Sequence, residues 1–114
     1  RYQKFSAGVG WVPEYGSSDD SVQFRTLIKY SPVQSLKHGT CYPATIVTTA
    51  DHDDRVVPSH SYKFIATLQA DQSCPRPVII RVETKTSHGY MPTDKRIAQL
   101  ADVWAFTAWN LGMR

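Results

Sequence analysis

Two short clusters in this 114-residue chain hold side chains able to move protons. Asp51-His52-Asp53-Asp54-Arg55 comes first, and Ser87-His88-Gly89 follows about thirty residues later. An imidazole with a carboxylate at its Nδ1 is a general base. The carboxylate accepts the Nδ1–H, fixes that tautomer, and leaves Nε2 free to take a proton from a nucleophile. His88, between a serine and a glycine, is the base this pattern offers. Asp51, Asp53 and Asp54 compete to be its acceptor, since only one can take the Nδ1–H and the rest then serve as turn formers. Local chemistry does not choose among the three. No G-x-S-x-G occurs, nor any glycine-flanked serine between a strand and a helix. The sequence therefore offers two groups of a hydrolytic triad without its nucleophile.

The elements that must position these groups are legible on either side of them. Pro43-Ala44-Thr45-Ile46-Val47-Thr48-Thr49-Ala50 is β-branched and nearly continuously apolar, which predicts a strand over about 42–50 buried on both faces, as in a parallel sheet. Pro58 suits the first turn of a helix over about 59–72, with Tyr62, Ile65, Ala66 and Leu68 on one side. A second strand is predicted over about 78–84, a loop with His88 over 85–92, and a helix over about 94–111, capped by Thr93 and closed by Gly112. That helix carries the stripe Ile97, Leu100, Ala101, Trp104, Ala105, Ala108 and Leu111, widened by Val103, Phe106 and Trp109. Upstream, Ser18 or Asp19 caps a helix to about Tyr30, ended by Ser31-Pro32; residues 1–18 and 33–41 read as loops. An acid after one strand and a histidine after the next, with a helix between, is the closing order of an α/β-hydrolase. Both clusters fall at the carboxyl ends of their strands, where α/β sheets place their sites. Two parallel strands and three helices are too little sheet for a domain. Residues 1–114 are thus expected to be the carboxyl-terminal portion of a larger α/β fold, not a complete domain. The opening Arg1-Tyr2-Gln3-Lys4-Phe5 likewise reads as a cut rather than a natural start.

A net charge of +3, from 13 basic and 10 acidic residues scattered along the chain, argues against a nucleic-acid partner. No apolar run approaches the roughly 20 residues that span a bilayer. The donors Asp51, His52, Asp53, Asp54, His60 and His88 follow no metal-site pattern, so no metal is expected. Cys41 and Cys74 lie just before the two strands, where a disulfide is within reach if the strands are neighbours. Two free thiols are favoured if the chain is cytosolic. Arg55 is by default a surface charge and Trp11 and Tyr15 loop anchors. In a cleft, the guanidinium could instead hold a substrate carbonyl and the aromatic rings a flat apolar group.

The stretch Thr49-Ala50-Asp51-His52-Asp53-Asp54-Arg55-Val56-Val57-Pro58-Ser59-His60-Ser61 resembles the aspartate segment of the prolyl oligopeptidase family of serine peptidases. Trp11-Val12-Pro13-Glu14-Tyr15-Gly16, Tyr30-Ser31-Pro32, Lys63-Phe64-Ile65-Ala66-Thr67-Leu68-Gln69 and Glu83-Thr84-Lys85-Thr86-Ser87-His88-Gly89 extend the resemblance over essentially the whole chain, closest to the bacterial type. The resemblance implies that Asp53 is the triad aspartate and His88 the triad base. It further implies that Arg55 binds the substrate backbone and that Trp11 stacks on a substrate proline, with Tyr15 and Val56 lining the same pocket. The implied activity is cleavage after proline in oligopeptides, without a cofactor, in the cytoplasm or alternatively the periplasm or outside the cell. The implied partners are those peptides and the rest of the parent chain, which holds the nucleophile and a propeller domain. Related peptidases, a macrocyclising relative and an inactive fragment are the alternatives. Two departures stand out: Ser87 replaces the family's usual glycine before the histidine, and Gly89-Tyr90-Met91-Pro92-Thr93 is one residue shorter than usual. A serine there restricts φ.

Overall fold

The computed structural model describes residues 1–113. At its centre β1 (Thr45–Ala50) and β2 (Val78–Glu83) pair in parallel, joined through α4 (Ser59–Asp71). The register runs from Thr45 opposite Val78 to Ala50 opposite Glu83, so the ends carrying Asp51 and Thr84 lie side by side. β1 starts later than the expected 42, while β2 starts at Val78 as expected. Pro43 and Pro77 have no N–H to give a ladder, and pairing begins just after each. α4 packs on both strands and buries Ile65 and Leu68, the buried large apolar side chains among the described residues.

Before the sheet, α2 (Ser21–Tyr30) is capped by Asp20, not by Ser18 or Asp19. Its carboxylate accepts from the N–H groups of Val22 at 2.9 Å and Gln23 at 2.8 Å. Ser31 turns extended before Pro32, as expected. The proline then opens a fresh single turn, α3 (Pro32–Ser35), inside the predicted loop. Residues 1–18 are also more ordered than a loop. Two 3₁₀ turns, Tyr2–Lys4 and Ser6–Trp11, lead into the one-turn helix α1 (Val12–Tyr15). Turns this short carry no apolar period, which is why the sequence hides them. Gly8 is required there, since a Cβ would stand 2.2 Å from the Tyr2 carbonyl oxygen.

The cysteines correct an expectation. Cys41 and Cys74 form a disulfide with Cα atoms 5.1 Å apart, not two free thiols. Their neighbours explain it: Thr40 and Gln72 pair as an isolated parallel bridge, and the Gln72 side chain bonds the Tyr42 N–H and carbonyl. This ladder continues the sheet backwards and holds both thiols at its amino end. Closing a loop of this length contributes about 4 kcal/mol.

α5 (Thr93–Asn110) runs along β2 with much of its apolar stripe turned away from the sheet. Lys95, Gln99, Val103 and Phe106 are half-buried, while Ile97, Leu100, Trp104 and Leu111 of the predicted stripe are exposed, Trp104 at 67%. Two ion pairs link the helix to β2. Arg81 on β2 reaches Asp102 at 2.7 Å, and Glu83 faces Lys95 at 3.2 Å. Val22, Phe24 and Ile28 on α2 are exposed as well.

Candidate active site

Asp53 and His88 meet across the carboxyl ends of the two strands. The turn after β1 is fixed by backbone bonds to the loop after β2. The Asp51 N–H donates to the Glu83 carbonyl at 2.9 Å, and the His52 N–H to the Thr86 carbonyl at 3.2 Å. Within that turn the Asp53 carboxylate bends back over its own chain. Its Oδ1 accepts the N–H of Arg55 at 3.0 Å and of Val56 at 2.7 Å. Its Oδ2 stands 2.9 Å from His88 Nδ1. Three partners on one carboxylate leave it little rotational freedom. Burial pushes the Asp53 carboxyl up, but the Val56 N–H, His88 and the Arg55 N–H outweigh it, so the net shift is below the usual carboxylate range. The group is therefore a charged acceptor, able to hold the His88 tautomer with Nδ1 protonated and Nε2 free.

The competition among the aspartates resolves by partner. Asp51 turns to its neighbour, with Oδ1 2.6 Å from His52 Nδ1, and this contact draws its carboxyl down. Asp54 contributes its backbone carbonyl, which accepts from the Ser6 hydroxyl. Of the three, Asp53 alone bonds His88. The other candidate metal donors are likewise dispersed, His52 onto Asp51 and the His60 ring edge-on to Phe5 at 5.5 Å. No group of three or more converges among the described residues.

The histidine loop accommodates its departures. Ser87 and Tyr90 pair as an antiparallel bridge, closing a tight turn over His88 and Gly89. The left-handed angles fall on Gly89 (φ 74°) and Lys85 (φ 55°), and Ser87 is not among the residues with positive φ. Serine therefore costs this backbone nothing. His88 and Asp53 border an open cavity of about 460 Å³, with Thr49, Tyr90, Met91 and Arg96 on its walls.

The remaining candidates lie around the acid turn. Arg55 and Val56 project from it and are exposed, Val56 at 42%. Trp11 and Tyr15 are exposed on the amino-terminal segment. That segment is strapped to the turn by the Ser6–Asp54 bond and the Phe5–His60 ring contact. No side-chain hydrogen bond or ring pair among the described residues joins Trp11 or Tyr15 directly to Arg55 or Val56. The strap that Ser6, Phe5 and His60 form escaped the sequence reading. No local pattern marks a strap between segments some fifty residues apart.

A parallel β-α-β-α unit with an acid and a histidine at adjacent strand ends is part of an α/β-hydrolase fold. Residues 2–114 match the prolyl oligopeptidase family, and the chain belongs to it. It is 50% identical to the prolyl endopeptidase of Elizabethkingia meningoseptica over 100% of this chain and 16% of that protein. It is 39% identical to the dual function macrocyclase-peptidase of Galerina marginata, over 99% of this chain and 16% of that one. A solved prolyl endopeptidase superposes with a TM-score of 0.94 at 36% identity, covering 100% of this chain and 17% of its own. The chain thus spans about a sixth of the length of these relatives. No helix is long and apolar enough to cross a membrane among the described residues.

Proposed function

We propose that this chain is part of a serine endopeptidase that hydrolyses oligopeptides after proline, and that it supplies the aspartate and the base of the triad. The observation that carries this is His88 Nδ1 at 2.9 Å from an Asp53 carboxylate already anchored by two backbone N–H groups. In the reaction, a serine from elsewhere in the parent chain gives its proton to His88 Nε2 as its Oγ attacks the substrate carbonyl. Asp53 stabilises the imidazolium. His88 then passes the proton to the leaving amine, and the cycle repeats with water on the acyl-enzyme. Arg55 binds the substrate backbone, while Trp11 stacks on the proline ring beside Tyr15 and Val56. A ring pre-set in φ meets a rigid indole face at little entropic cost. The exposure of Trp11 and Tyr15, on a segment tied to the acid turn, supports a role toward a ligand.

The relatives support the same reading. The Galerina marginata enzyme has been solved bound to a 35mer hydrolysis and macrocyclization substrate with alanine replacing a histidine or a serine, and to a 25mer with alanine replacing an aspartate. The Cys41–Cys74 disulfide supports a periplasmic or secreted site of action over a cytoplasmic one.

The test is activity of the intact peptidase on a chromogenic peptide with proline before the scissile bond. His88→Ala should abolish turnover and Asp53→Asn should lower kcat by up to about 10⁴ through the wrong tautomer. Asp51→Asn and Asp54→Asn should cost far less. Equal losses at all three aspartates would remove Asp53 from the triad.

A further inference from the structure

Beside the Asp53–His88 pair, this end of the sheet holds a buried carboxylate that the pair does not use. Glu83, the last residue of β2, is the buried carboxylate among the described residues, 8% exposed. A buried carboxylate is costly unless its oxygens are paired, and these are. Oε2 accepts from Arg81 Nη1 at 2.7 Å, and Oε1 faces Lys95 Nζ at 3.2 Å. Arg81 also donates Nε to Asp102 at 2.7 Å, and Lys95 also donates to the Thr84 carbonyl. The partners lie on β2 and on α5, the two elements that flank the loop 84–92 carrying His88. The Glu83 backbone adds a second set of ties. Its carbonyl accepts the Asp51 N–H at 2.9 Å and the Thr86 hydroxyl at 3.4 Å, and Thr86 in turn takes the His52 N–H at 3.2 Å. One residue thus joins the acid turn to both ends of the histidine loop.

We propose that Glu83, with Arg81 and Lys95, is a positioning clamp that sets where His88 stands toward the nucleophile. The proposal rests on the reading of Asp53 and His88 given above and adds to it the residues that hold the base in place. Among the described residues His88 has one side-chain hydrogen-bond partner, Asp53, so the placement of its ring depends on where the loop ends are pinned. None of the three clamp residues lines the cavity that His88 and Asp53 border. Loosening it should affect the chemical step and leave binding intact, because misplacement of a reacting group by ~1 Å can cost ~10²-fold in rate.

Steady-state kinetics of the intact peptidase on the proline chromogenic peptide test this, with Glu83→Gln, Lys95→Met, their double variant, Glu83→Asp, and His88→Ala as reference. Each of the two single charge-removing variants should lower kcat by about tenfold or more with KM within about twofold. The double variant should be little worse than the poorer single one, as expected of residues acting as a unit. Glu83→Asp, which keeps the charge, should recover most of kcat. Lys95 is the more exposed partner, its side chain 29% accessible, so Lys95→Met tests the clamp even if Glu83→Gln fails to fold. Wild-type kcat in Lys95→Met, losses that simply add in the double variant, or a rise in KM in place of a fall in kcat would overturn the clamp. If His88→Ala abolishes turnover while the clamp variants are unaffected, only the clamp is wrong. If His88→Ala keeps activity, the base assignment falls and the clamp with it.

Discussion

Trp11 and Asp53 are the residues whose chemistry can be probed most sharply. An indole held at the surface of a tight 3₁₀ segment has an aromatic face to spend on a ligand. Removing such a face forfeits about 0.5–1.5 kcal/mol beyond buried area, and about 1.4 kcal/mol is tenfold in rate. Trp11→Ala in the intact peptidase should therefore lower kcat/KM by up to about tenfold for a proline substrate and less for its alanine counterpart. Equal slowing of both substrates, or a loss that tracks unfolding, would make Trp11 a scaffold residue. For Asp53, the lowered carboxyl means that the folded state holds its proton more weakly than the unfolded chain, whose aspartates titrate near ~3.9. Its contribution to stability is then fully present above that value and lost as pH falls through the folded one. The gap in melting temperature between wild type and Asp53→Asn should be constant at neutral pH and close in acid below about pH 4. A gap that widens in acid would reverse the sign of the shift.

The elements show where sequence patterns carry information and where they do not. The strands, α4 and the parallel pairing were legible because β-branched runs and a 3.6-residue period are one-dimensional signals. So was the placement of an acid and a histidine at neighbouring strand ends, though the choice of Asp53 over Asp51 and Asp54 came only from the resemblance. Geometry then separates the three by their partners. The side on which α5 meets β2 was not legible. Much of its apolar stripe points one way, while the partners of Arg81 and Glu83 lie toward β2. A hydrophobic period reports which face wants burial, not which face this stretch of chain is able to cover. The amino-terminal turns were hidden for a different reason. They rest on Gly8 and on side-chain bonds such as Tyr2 Oη to the Gly16 carbonyl at 2.5 Å, contacts without a repeat.

Across the whole molecule, apolar side chains outnumber the places to bury them. Hydrophobic residues make up 41% of the sequence, yet Trp104, Trp109, Leu111 and Ile97 stand open, and Ile79 on β2 is 42% exposed. Surfaces of this kind belong against other protein, which supports reading residues 1–114 as part of a domain completed by the rest of the parent chain. On the proposed reading, the 114 residues alone should not cleave a proline chromogenic peptide, because the proposed base and its aspartate lack the nucleophilic serine supplied from elsewhere in the parent chain. Cleavage by rigorously pure fragment, abolished by His88→Ala, would show the contrary. The disulfide has a practical consequence for anyone handling this protein. Cys41 and Cys74 enclose β1, the acid turn and α4 in one covalent ring that leaves His88 outside. Arg55 sits exposed within that ring, so a tryptic nick after it would separate the acid turn from α4 in sequence while the Cys41–Cys74 bond still joined the two pieces. On a non-reducing gel the damaged protein would pass for intact, and only thiol treatment before electrophoresis would reveal the cut.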